Sequence, residues 1–148
     1  MVSRRRQNDE IAIIPAGSTT LHKFCPDLVN WPELWAIEHD DVAIGRRIVD
    51  TIRPFLIDLL QHALADKTLA RHRDHLQMLG GEIIRHRHDH PELAKQPVEE
   101  LLLNLIEEDG GPLIWPRITE SAQNAFDSTC RKLYRFGRRQ AAWPVRRG

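Results

Sequence analysis

No stretch of the chain approaches the roughly 20 consecutive apolar residues that cross a bilayer, so a membrane-spanning protein is not expected. The basic start, Met1 to Asn8, is not followed by the apolar stretch of a secretory signal, and the expected location is the cytoplasm. Cysteine is scarce. Cys25 and Cys130 are the only two, far apart in sequence, and two lone thiols in a cytosolic chain are expected to stay free. A charge of one sign is also missing: the formal net charge is zero, which excludes a uniformly basic surface. There is no sustained period-two alternation, so no sheet is expected, and no internal repeat. Phosphate-cradling loops are lacking as well, since Gly80-Gly81 and Gly110-Gly111 have neither the required spacing nor a flanking strand. Ser121 and Ser128 have no glycine elbow around them. The expectation is a domain without an active site of its own and without a cofactor.

What remains reads as one all-α domain of 148 residues, 41% hydrophobic and 28% charged, a balance typical of folded rather than disordered chains. The pattern predicts an irregular arm over residues 1–26, a helical domain over 27–139 and a basic tail over 140–148. In the arm, Ile11 to Ile14 suit a short extended piece. Trp31 and Trp35, four apart, fall on one face of a helical turn, with core packing the default role for both. A first long helix is predicted from Asp41 to about Leu64, with Pro54 expected to kink or restart it. A second begins between Asp66 and Thr68, either of which can cap it, and carries Leu69, His72, Leu76, Leu79 and Ile83 in one stripe. The glycine pair inside that stripe implies either a close-packed neighbour or a local break. A third helix starts at Pro97 and is expected to stop at Asp109-Gly110-Gly111-Pro112. The last opens near Thr119 or Ser121 and runs to about Gly137. The class is a small bundle of four to five helices.

The charge is unevenly spread. From Arg131 to Gly148 there are seven basic residues and no acid, and Arg4, Arg5 and Arg6 add a basic head; between Asp89 and Glu120, eight acids meet only Lys95 and Arg117. Such polarity presents a basic face to a polyanion while the opposite face stays acidic. Lys67, Arg71 and Arg73 lie at the start of the second helix, and Arg131, Arg135, Arg138 and Arg139 recur at helical spacing on the last. Arginines in a row clamp phosphates bidentately. Histidine is plentiful, at eight. His86, His88 and His90 alternate with other residues, so consecutive members point apart on a helix and do not converge as a zinc site requires. They read as a polar helix end. Cys130 falls beside the apolar stripe and reads as a packing residue.

From about Phe55 to Phe136 the order of features resembles the core-binding, SAM-like N-terminal domain of tyrosine recombinases of the phage-integrase type. The resemblance rests on the apolar helix Phe55 to Leu60, the Thr68-started helix Lys67 to Leu76, the proline-introduced Pro97 to Leu102, and the Arg/Leu/aromatic run Ser128 to Phe136. It implies a SAM-like bundle whose second and last helices face DNA, which nominates Lys67, Thr68, Arg71, Arg131, Lys132 and Arg135, with Arg138 added from the helical spacing. The Arg, His-x-x-Arg and Tyr nucleophile set of that family is not found in these 148 residues, and Tyr134 belongs to the helix pattern.

Taken together, the residues and the resemblance imply a non-catalytic DNA-binding accessory protein, of the kind found on mobile elements in DNA recombination. Duplex DNA is the expected partner, with a recombinase or a second copy alongside. The alternative is a helical protein-interaction module, docking through its acidic third helix or self-associating through exposed tryptophans. Metal binding by the histidines is a weaker third reading.

Overall fold

A computed structural model of the chain describes residues 21–140. The extended piece expected at Ile11 to Ile14, the basic head and most of the basic tail lie outside the described residues. Within them the chain is helical: a turn at 21–24, a 3-10 turn at Leu28–Asn30, α1 (Trp31–Trp35), α2 (Asp41–Leu60), α3 (Asp66–Asp89), a 3-10 turn at Pro91–Leu93, α4 (Val98–Leu105) and α5 (Glu120–Arg139). The described residues contain no strand, only a bridge between Glu107 and Gly110. The protein is an all-α domain.

The core begins earlier than the sequence implied. Leu21 and Cys25 are buried, joined by a bond from the Cys25 amide to the Leu21 carbonyl at 2.8 Å. The irregular arm predicted to reach residue 26 therefore gives way to structure at Leu21. One helical turn places these residues on the same side, and the polar His22 and Lys23 between them hide the pattern.

The inner face of α2 (Ile48, Ile52, Phe55, Leu56, Leu59) meets Leu76, Leu79, Ile83 and Ile84 of α3, Leu101 and Leu102 of α4, and Phe126, Cys130, Leu133 and Phe136 of α5 in one cluster. Each large side chain so buried contributes about 1.5–3 kcal/mol. Pro54 does not break α2. It is exposed, as is Asp50, so the carbonyl that loses its amide partner faces water. At the far end of α2, Phe55 stacks against Phe136 of α5 with ring centroids 5.5 Å apart. Gly137, expected to stop the last helix, is buried inside it, and α5 continues to Arg139.

α1 is a wedge driven against α3. Trp31 and Trp35 are buried, their centroids 5.7 Å apart, and Trp35 Nε1 donates to the Gln77 carbonyl at 2.7 Å. The ring lies on Gly80, where a Cβ would come within 2.1 Å of Trp35 Cζ2. Of the two meanings open to the glycine pair, close packing is the one realised; α3 runs through it without a break. Neither Asp66 nor Thr68 caps α3, whose N-cap is Ala65 with no side-chain bond.

The α1–α2 connection is pinned by a buried carboxylate. Asp41 Oδ2 accepts from the amides of Ile37 and Glu38 at 2.9 and 2.8 Å and lies 2.8 Å from His88 Nε2 of α3. Arg87 adds a longer ion pair at 3.6 Å. Burial alone would raise the Asp41 carboxyl, but the amides of Glu38 and Ile37 and the His88 ring outweigh it and lower it overall.

α4 ends at Leu105, before the predicted stop, because Ile106 turns extended and is fully buried. The chain then reverses at Glu107–Gly110. Gln123 organises the loop that leads on to α5: its Oε1 accepts from the amides of Ile114 and Trp115 at 2.7 and 2.9 Å, and its Nε2 donates to the Pro112 carbonyl and to Asp127. Thr119 caps α5 as expected, its hydroxyl accepting from the Ala122 amide at 3.0 Å. Thr119→Ala is expected to cost about 1 kcal/mol, read by urea denaturation; an unchanged midpoint would show the cap to be idle.

Candidate nucleic-acid interface

α3 and α5 are locked together by one hydroxyl. Buried Thr129 Oγ1 lies 2.6 Å from His72 Nδ1 and 2.7 Å from His75 Nδ1. A hydroxyl has a single hydrogen to give, so with neutral rings it donates to one and accepts from the other's N–H. His72 Nε2 is buried without a hydrogen-bond partner among the described residues. Burial, then the positive charge of Lys132, then His75 and Arg71, push His72 down to about 4. His75 is lowered too, by burial and then Arg71.

That lock fixes where the surrounding cations stand. Lys132 of α5 and Arg71 of α3 both bear on His72, so the two helices carry positive charge to one neighbourhood. Both are exposed, and neither forms an ion pair with a described residue. Lys67 is one turn before Arg71 and is also exposed; Thr68 beside it is half-buried. Next to Lys132 a groove of about 230 Å³ runs between the end of α2 and the outer face of α5. Lys132, Arg135 and Arg139 line it together with Phe55, Leu59, Leu64, Asp58 and His62. Arg139 also lies over the Phe136 ring, 5.9 Å from its centroid.

Not every nominated residue joins this face. Arg131 Nη1 donates to the Asp109 carbonyl at 3.0 Å. Arg135 Nε donates to Glu108 Oε1 at 3.0 Å, so Arg135 belongs both to the groove and to the acidic turn. Arg138 donates to the Tyr134 hydroxyl at 3.0 Å and sits over its ring. The nominated set thus divides: Arg71 and Lys132 bear on His72 at the α3–α5 contact, Lys132 and Arg135 line the groove between α2 and α5, Lys67 and Thr68 stand on the first turn of α3, and Arg131 and Arg138 are bonded to Asp109 and Tyr134. Arg139 completes the groove; its spacing of two turns from Lys132 was visible in the sequence. The Thr129 lock was not, because it joins residues 54 and 57 positions apart.

The histidines at the end of α3 do not converge. His88 is taken by Asp41, while His86 stacks on His90 with centroids 4.6 Å apart. Among the described residues no group of three or more potential ligands is placed to hold a metal ion. The thiols offer no nucleophile. Burial, then Asp27, pushes Cys25 up to about 12, and burial raises fully enclosed Cys130 as well. No described helix is long and apolar enough to cross a membrane. No protein-family model matches the chain, and neither a curated protein nor a solved structure does so.

Proposed function

We infer that the face made by the first turns of α3 and the outer side of α5 binds the phosphate backbone of duplex DNA, in a non-catalytic accessory role of the kind the recombinase resemblance implies. The observation that carries this reading is the groove lined by Lys132, Arg135 and Arg139, with Arg71 near enough to bear on the same His72 as Lys132. Guanidinium groups suit phosphate oxygens geometrically, and the groove is small enough to seat a phosphate rather than a larger ligand. With a net charge of zero, attraction is local to this face, so binding is modest and salt-sensitive. A recombinase on the same DNA, or a second copy of the chain, is the protein partner that fits.

Fluorescence anisotropy with a labelled duplex tests it. About four phosphate contacts give a slope of roughly −3 to −4 for log K against log salt. Replacing Lys132 and Arg139 together with alanine is expected to weaken binding about tenfold on every sequence and to flatten that slope by nearly 2. The absence of any complex at low salt sinks the reading.

A protein-interaction module is the second reading, favoured by the exposure of Val29, Leu34, Ile37, Leu113 and Trp115. Trp31 and Trp35 do not serve it, since both are in the core. Mass in solution, with and without DNA, separates the two readings.

A further inference from the structure

The turn after α4 is seated directly on α5. Glu107 and Gly110 exchange both backbone bonds, at 2.8 and 3.2 Å, and Gly110 takes a φ of 147°, open to glycine and strained for other residues. A Cβ on Gly110 would fall 2.7 Å from Asp127 Cγ, and one on Gly111 2.4 Å from Cys130 Sγ. The Gly111 amide donates to Asp127 Oδ1 at 3.1 Å. Two successive glycines in such close approach hold the turn in place, and Glu107, Glu108 and Asp109 stand exposed on it.

The two arginines that reach this turn do so differently. Arg131 bonds a backbone carbonyl, whereas Arg135 bonds the Glu108 carboxylate. Both partners of the second pair are more than half exposed, at 57% and 62%. A pair this wet is held by no more than about a fivefold preference, and a phosphate is a strong competitor for the same guanidinium.

We propose that Glu108 is a built-in competitor for Arg135, occupying in the free protein the guanidinium that a backbone phosphate takes when nucleic acid lies along the groove. This rests on the reading of that face as a duplex-binding surface. The glycines keep the turn from swinging away, so the exchange happens at the side chains: Arg135 leaves Oε1 and rotates toward Lys132 and Arg139. The fixed carboxylates also give the basic face an edge, repelling phosphates from the Arg131 flank and leaving the duplex the Lys132–Arg139 side.

The test is a double-mutant cycle of Glu108→Gln and Arg135→Gln, read by duplex anisotropy at low salt, with wild-type binding scored separately. Glu108→Gln is expected to tighten binding about two- to fivefold, and the gain should vanish when Arg135 is glutamine. Equal tightening in both backgrounds would mark a general charge effect and overturn the proposal. So would unchanged affinity in a wild-type protein that binds. Binding by Glu108→Gln alone, lost in the double variant, supports a tighter hold by Glu108. No binding by either protein removes the duplex reading itself, and this competitor with it.

Discussion

Gly80→Ala is expected to destabilise the domain by about 2 kcal/mol, while Gly81→Ala, one residue along the same helix, leaves it unchanged or stabilises it by up to about 1 kcal/mol. Helix propensity alone favours alanine at both places, so the neighbours decide the sign. At Gly80 the added carbon would meet three atoms of the Trp35 ring at 2.1, 2.4 and 2.5 Å. That ring cannot yield easily: its Nε1 is bonded to the Gln77 carbonyl and its other side meets Trp31. At Gly81 the nearest atom is Trp35 Cδ1 at 3.6 Å, an ordinary contact. Urea denaturation of the two variants measures the difference. Equal effects would mean that α1 does not hold its place against α3.

Acid is expected to cost the fold about 3 kcal/mol between neutral pH and about pH 4, from His72 alone. Its pKa falls from the ordinary 6.5 to about 4 in the folded protein. Between those values the unfolded chain binds a proton that the folded one refuses, so stability is fully present above about 6.5, declines as pH drops, and levels off below about 4. His75, lowered for the same main reason, adds in the same direction. The Asp41 carboxyl is lowered as well, and its contribution is lost in a more acid window, below the ordinary carboxylate value. Denaturation at a series of pH values reads the profile. His72→Gln should flatten the limb between about 6.5 and 4, and a wild-type profile without that limb would refute the assignment.

The helical stripes and one cap were legible because their causes are local, although α3 lacks the side-chain cap expected of Asp66 or Thr68 and α2 ends at Leu60 rather than near Leu64. The stripes of α2 and α3 and the Thr119 cap depend on residues within a turn or two of each other, and each came out where spacing put it. The glycine pair was legible as a constraint though not as a contact, since Trp35 arrives from 45 residues upstream. Other features answer to distant partners. Ile106 leaves the helix early to fill the core, and Gly137 continues one because Phe136 packs on Phe55. For the candidate site, helical spacing placed the α5 cations on its outer side. It did not reveal that the Glu107–Gly110 turn folds back onto Arg131 and Arg135, 22 and 27 residues away. Nor did it reveal that α3 and α5 are joined through a buried threonine that meets His72 and His75.

Gln123 gives the loop before α5 a character that its lack of regular structure conceals. A single amide, spent on the backbone of Pro112, Ile114 and Trp115, holds this stretch much as a strand partner would. Leu113 and Trp115, 71% and 50% exposed, therefore project from a scaffold that is already set. A surface meeting them would have little backbone freedom left to freeze, so more of each apolar contact would survive as affinity.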